Sequence, residues 1–309
     1  MKRLLALLLT VFLLTGCANT AVNGIIQWGE GGGTDKLMRP LCSYTEAHLD
    51  GSISLRNMPG GTGTVATQYV FDKPADGNTL LLGAENPAMY DALGLSDLTY
   101  ADFDCVLLIG SETVGVTVAA DSPYADFASL IDAAKANPGK IRLATTAKGG
   151  LPWTVARFIE SVTGATFNEI PYDSDATAAN AVLNGECEVT VMKLQAGLDA
   201  AKDGKLRYLC MLTDTPVEAL PDVMPITAYD SAFNAFLPWG PFYGVFVKKG
   251  TDPSVREKLT EAFRKGFEDP AYQKLLADLC VDPLGLSGDD ADAWIDAWRK
   301  SSLSALNAE

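Results

Sequence analysis

The residues best suited to chemistry are Gly31-Gly32-Gly33-Thr34-Asp35. They follow a short apolar run, Ile25-Ile26-Gln27-Trp28, and precede a helical pattern that begins at Lys36. Strand, glycine loop and helix N-terminus in that order form an anion trap. Glycines let backbone N–H groups approach a ligand, and the helix end adds partial positive charge. The same logic recurs at Thr145-Thr146-Ala147-Lys148-Gly149-Gly150, between the apolar run 141–144 and a helical pattern over 152–163. Here Lys148 is either a point charge for a carboxylate or a solvated loop lysine. A third cluster, Asn57-Met58-Pro59-Gly60-Gly61-Thr62-Gly63-Thr64, is either a tight turn into a helix or another binding loop. Within it, Gly61 to Ala66 fits G-x-G-x-x-A, a match that is weak on its own.

Covalent and metal chemistry find little support. The one histidine, His48, lies in a polar helical stretch and reads as a surface residue. No G-x-S-x-G, H-E-x-x-H or G-x-x-x-x-G-K-[ST] occurs, so a nucleophile–base pair is not recognisable. After Cys17 come Cys42, Cys105, Cys187, Cys210 and Cys280. The odd number, the wide spacing and the lack of C-x-x-C argue against a disulfide framework or a zinc site and for buried small hydrophobes, with one unassigned disulfide open. No metal, no cofactor and no enzyme activity are expected.

The elements that must position these loops alternate. Strand-like runs fall at 53–55, 79–82, 106–109, 114–118, 141–144, 189–191 and 243–247. Between them Phe127, Leu130, Ile131 and Ala134 share a helical face, as do Val155, Phe158, Ile159 and Val162, and Val255, Leu259, Ala262 and Phe263. Asp252-Pro253 and Asp269-Pro270 read as N-cap plus proline at the first helical position. Trp294 and Trp298, four apart, read as a core-facing stripe. This alternation predicts an α/β chain with helices on both faces of its sheets.

The first sixteen residues read as a targeting segment. Lys2 and Arg3 form its charged start, and Leu4 to Leu14 its apolar stretch, too short to span a bilayer. It ends Leu14-Thr15-Gly16-Cys17, the pattern of lipoprotein processing, which makes Cys17 the lipidated N-terminus and 17–23 a tether. An exported chain meets no nicotinamide pool, which disfavours the dinucleotide reading of 61–66. Loss of Lys2 and Arg3 takes the formal charge from −15 to −17. No basic patch offsets this, so nucleic acid is not an expected partner and the lipid must supply the membrane anchor. The remaining length of about 285 residues exceeds one typical core and points to two lobes.

In their order along the chain, these motifs resemble those of the extracytoplasmic solute receptors of the tripartite tricarboxylate transporter family, the Bug receptors. The family's P-F-x-x-G-G-x-T-D-x-x-x-R is met by Trp28-Gly29-Glu30-Gly31-Gly32-Gly33-Thr34-Asp35 with Arg39 in place. Its E-N-x-P-G-A-G-G is met by Asn57 to Gly63, and D-G-Y-T-L-L by Asp76-Gly77-Asn78-Thr79-Leu80-Leu81. A-N-P-G-K stands at 136–140, Ile170-Pro171-Tyr172 matches V-P-Y, and Ala219 to Pro225 matches A-L-P-D-V-P-T.

The resemblance implies a type II periplasmic-binding-protein fold, with two α/β lobes joined by two crossover strands and a ligand cleft between them. Lobe one is then 24–113 plus 244–309, and lobe two 114–243. It implies a small carboxylate held between the loop at 31–35 and the loop at 145–150, with Trp28, Glu85, Tyr172 and Lys193 in the candidate set. It also implies large and small membrane subunits of a transporter as partners; a signalling partner is the alternative, and an extracytoplasmic hydrolase a distant third. Two departures stand out. The family's A-G-N-G-S-x-x-H is replaced by Ala147-Lys148-Gly149-Gly150-Leu151-Pro152-Trp153. Where relatives place an acidic cleft residue, this chain has Met192-Lys193, which predicts a ligand with an extra carboxylate rather than an amine. Trp28, Trp153 and Trp239 either line the cleft or pack the lobes.

Overall fold

The computed structural model describes residues 21–306 apart from 50, 147 and 238. The targeting segment and the lipidation position Cys17 lie outside the described residues.

The strands are β1 (Val22–Ile26), β2 (Ile53–Asn57), β3 (Thr79–Ala84), β4 (Phe103–Glu112), β5 (Val114–Ala119), β6 (Arg142–Thr145), β7 (Asn168–Pro171), β8 (Val189–Lys193), β9 (Leu206–Met211), β10 (Phe242–Lys248) and β11 (Val281–Leu286). The helices are α1 (Gly33–Glu46), α2 (Thr64–Phe71), α3 (Tyr90–Leu93), α4 (Phe127–Ala136), α5 (Leu151–Thr163), α6 (Asp175–Leu183), α7 (Leu194–Lys202), α8 (Pro253–Phe267), α9 (Pro270–Asp278) and α10 (Gly288–Leu306).

Two sheets result. One has the order β11-β4-β10-β3-β1-β2, the other β7-β6-β8-β5-β9. In the first, β1 runs parallel to β2 and β3, while β10 enters antiparallel between β3 and β4. In the second, β6 is parallel to β7 and β8, and β5 is antiparallel to β8 and β9. The chain passes from the first sheet to the second at Thr113, between β4 and β5, and returns through 212–241 into β10. The two passages touch: the Glu112 N–H donates to the Pro241 carbonyl, and the Leu194 N–H to that of Thr113.

Every strand-like run of the sequence is a strand. Strands β7 and β11 escaped notice because their inward residues are few or interrupted, and β9, buried everywhere but at Arg207, was overlooked. Strand β7 is an edge strand with no fully buried residue, and β11 carries Asp282 and Pro283 at its exposed start. Helix α1 begins at Gly33, three residues before the apolar pattern does. The N-caps at Asp252 and Asp269 form, each carboxylate accepting a backbone N–H of the first turn. Helix α10 packs against β4, α5 and the one-turn helix at 231–236. There Trp298 stacks on Trp239 at 6.0 Å and meets Phe242 edge-on at 5.2 Å, while Trp294 meets the same ring. The tryptophan stripe is therefore core. Cys42, Cys105, Cys187 and Cys210 are buried free thiols and Cys280 is a half-buried one; His48 is exposed. Among the described residues no His/Cys/Asp/Glu group suits a metal ion, and no helix is long and apolar enough to cross a membrane.

Candidate functional site

The loop at 31–35 is built to keep its helix end free. Gly32 occupies the N-cap of α1 and supplies no side-chain cap, so the first-turn N–H groups lack a side-chain acceptor. Asp35 faces back into its own loop. Its carboxylate accepts the Gly31 N–H at 2.9 Å, the Arg39 Nε–H at 2.8 Å and the Asn57 amide at 2.9 Å. Burial would raise this carboxyl, but the three donors outweigh it and hold it below the usual range. Asp35 thus braces the loop, with its carboxylate engaged by three donors. Thr34 is buried beside it.

Replacing Asp35 by asparagine should cost about 2 kcal/mol, the size of hydrogen bonds to a charged group. Because the folded carboxyl is lowered, its contribution is full above the ordinary carboxylate pKa and fades as pH falls through it and below. Thermal melts of wild type and Asp35→Asn should differ most at neutral pH and converge in acid.

The second loop is anchored from below. Gln27, fully buried, donates to the Tyr90 hydroxyl at 2.7 Å and accepts the Ala84 N–H at 2.9 Å; the Tyr90 hydroxyl donates to the Thr62 carbonyl at 2.9 Å. Gly63 has φ +86°, and a Cβ there would stand 2.1 Å from Gln27 Nε2, so only glycine fits. This network fixes both the loop and the end of β3, and with it Glu85 and Asn86.

Across the cleft, Gly150 caps α5 without a side chain. Thr145 is buried, and Thr146 Oγ1 is buried with no partner. Lys148 is exposed. Gly149 reaches lobe one, where a Cβ would lie 2.3 Å from Leu93. Thr62, Glu85, Asn86, Gly149, Trp153 and Trp239 are among the residues that line a cavity between the two sheets. Trp153 also stacks under Arg157 at 5.4 Å, and Trp239 Nε1–H donates to Ser302 Oγ at 2.8 Å. Trp28 instead packs half-buried on the core beneath α1. The Tyr172 hydroxyl donates to Glu186 at 3.3 Å and lies 3.5 Å from Cys187 Sγ.

Lys193 is the junction of the two sides. It ends β8 in the second sheet, yet its Nζ lies 2.7 Å from Glu112 Oε2 and donates to the Tyr243 hydroxyl at 2.7 Å, both on strands of the first sheet. The Tyr243 hydroxyl in turn donates to Glu112. Burial works against the lysine's charge, but the facing Tyr243 and Glu112 outweigh it and hold Lys193 firmly as an ammonium. A Cβ on Gly33 would stand 3.0 Å from the Tyr243 hydroxyl and 3.4 Å from Lys193 Nζ, so the open end of α1 abuts this pair.

The cleft is not short of acid. Glu85 Oε2 and Asn86 Oδ1 are buried without partners. Loss of hydration raises the carboxyl of Asp175, at the start of α6, against the pull of Lys193. Lys193 is paired with Glu112, and Met192 is buried in the second lobe's core. Sequence reasoning missed Asn86, Glu112, Asp175 and Tyr243. The usable signal was position, since Asn86 and Glu112 sit at or just past the carboxyl ends of strands, where α/β sheets place ligands.

The receptor-family profile described as "Tripartite tricarboxylate transporter family receptor" matches residues 38–302. The chain belongs to this family. BugT of Bordetella pertussis is 24% identical over 295 residues, 90% of this chain and 88% of that protein. A Rhodopseudomonas palustris protein solved with adipate superposes with a TM-score of 0.79 at 21% identity, covering 93% and 96% of the two chains. MatC from the same organism, solved with malate, gives 0.74 at 19%, again over 93% and 96%. The fold is that of periplasmic binding proteins, and the family's role is solute binding rather than catalysis.

Proposed function

We propose that this chain captures a small dicarboxylate between its lobes and delivers it to the membrane subunits of a tripartite tricarboxylate-type transporter. Lobe one is 24–113 plus 244–309 and lobe two is 114–243. One ligand carboxylate lies on the uncapped N-terminus of α1, at Gly33 and Thr34, beside Lys193. The loop at 145–150 closes over it, with Thr146, Gly149 and Gly150 supplying donors and Lys148 contributing charge at the mouth. The lipid on Cys17 holds the receptor to the outer face of a membrane, with 17–23 as tether.

The observation that supports this reading is the uncapped end of α1 abutting a fixed ammonium, with buried unpartnered polar atoms on Thr146 in the facing loop and on Glu85 and Asn86, which line the cavity between the sheets. Buried polar atoms without partners are costly, so a ligand that satisfies them gains what they lose when the site is empty. Structural neighbours that hold adipate and malate point to the same class. Preorganised N–H donors in a cleft closed to water supply affinity, and lobe closure supplies the signal a transporter reads.

A thermal-shift series tests the class. A dicarboxylate at one hundred times its Kd should add about 2.7 kcal/mol, a rise of several degrees. Neutral sugars should add nothing. A shift with sugars and none with adipate, malate or succinate sinks the reading.

A further inference from the structure

Glu85 follows directly on β3, and the Gln27 bond to the Ala84 N–H fixes its backbone approach. Its Oε2 is shut off from solvent and makes no hydrogen bond, and Asn86 Oδ1 beside it is in the same state. Both residues line the interlobe cavity opposite Gly149 and Thr154. Charged and titratable groups face it from each neighbouring element: Lys193 from β8, Glu112 from β4, Asp175 from α6, Tyr90 from α3, and Tyr100 from the turn before β4. Both tyrosines stay neutral, their hydroxyls raised chiefly by burial. Lys193 is the one cation in the set, and Glu112 with Tyr243 already holds it. A carboxylate entering this cleft therefore meets acidic groups with a committed counter-ion. Two ionised carboxylates sharing such a space repel strongly, and a single proton between them removes the conflict.

We propose that Glu85 binds the ligand carboxylate as a carboxylic acid, so that wherever the empty site is ionised each anion captured brings one proton with it from solvent. The inference rests on the dicarboxylate reading above. The proton adds to a Glu85 carboxylate oxygen, and its O–H donates to a ligand oxygen; no covalent bond to carbon changes. An O–H···O⁻ bond of this kind is short and strong. The site is prepared for it, because burial lifts the Glu85 carboxyl to about 7 against the pull of Lys193. The arriving anion lifts it further. Below that value the acid is already formed and affinity does not depend on pH. Above it, each capture must draw a proton, so affinity falls tenfold per pH unit until the carboxyl of the complex itself ionises.

The test is titration calorimetry of the wild-type chain with adipate and with malate between pH 7 and 9, where both acids are fully ionised. Runs in phosphate and in Tris at pH 8 separate proton uptake from binding heat. Uptake close to one proton, and a Kd that weakens about tenfold from pH 8 to pH 9, are expected. In E85Q, whose amide can donate but not titrate, uptake and pH slope should both vanish; melting curves of the variant establish that it is folded. Uptake that persists in E85Q assigns the proton elsewhere, for instance to Asp175, and overturns the proposal. A flat Kd in wild type, or one that tightens as pH rises, overturns it as well. Carboxylate binding without proton uptake overturns this inference alone. Failure of both acids to bind at any pH overturns the dicarboxylate reading and this inference together.

Discussion

Lys193→Met should destabilise the protein by about 3 kcal/mol and abolish ligand capture. The lysine side chain is 23% exposed and its partner Glu112 is 9% exposed, so the pair is sheltered from the screening that makes surface ion pairs nearly worthless. Removing one member of a buried pair leaves the other charge uncompensated, which costs roughly 3–5 kcal/mol. The lower end is expected here because Lys193 keeps some contact with water. The orphaned Glu112 would also retain only the Tyr243 hydroxyl as a donor among the described contacts. Two effects are separable by a double variant. Lys193→Met with Glu112→Gln should recover most of the lost stability, because no buried charge is left alone, but it should not recover binding, because the cation beside α1 is gone. Urea unfolding and calorimetric titration with adipate read the two quantities independently. If the double variant binds as wild type does, Lys193 is a structural tie between the sheets and not part of the ligand site.

Gly149→Val should weaken ligand affinity by at least tenfold while each lobe keeps its fold. Gly149 has φ +81°, which a β-branched residue tolerates poorly, and a Cβ there would meet Leu93 Cδ1 at 2.3 Å. Leu93 belongs to α3 in the first lobe, so the clash falls on the contact made when the loop at 145–150 meets the opposite side. The backbone cost is about 1 kcal/mol or more; the larger effect is that the cleft can no longer close over its ligand. Adding Leu93→Ala should restore part of the affinity, since the side chain in the way is then shorter. That rescue separates a closure effect from simple damage to the loop. Equal affinity in Gly149→Val and wild type would show that the contact with Leu93 is irrelevant to capture.

These expectations draw on features of unequal legibility. The strand, glycine loop and helix start around 31–35 were readable because they are local, lying within about a dozen residues. The helix at 127–136 was readable from apolar spacing, and that at 253–267 from apolar spacing and its Asp252 cap, for the same reason. The role of Asp35 was not, because the donors that turn its carboxylate inward include Asn57, brought beside it by the parallel pairing of β1 with β2. Lys193 shows the limit most clearly. Its position in sequence suggested a free cation, but Glu112 lies 81 residues away and Tyr243 50 residues away, and only the adjacency of β4, β8 and β10 across the chain passages makes them a triad. Glu85 and Asn86 could be suspected from their place after β3. That their oxygens lie buried and unpartnered depends on Gln27, Tyr90 and the opposite loop, which no local pattern encodes.

In the proposed complex a ligand carboxylate sits on the open N-terminus of α1 against the Lys193 side of the cleft. A crystal structure of the chain with the carboxylate selected by thermal shift tests it most directly. A carboxylate oxygen about 2.7–3.1 Å from the backbone N–H of Gly33 or Thr34, with a second polar group of the ligand on Glu85 or Thr146, is the predicted result. A ligand bound elsewhere, with the first turn of α1 in contact only with solvent, would contradict it.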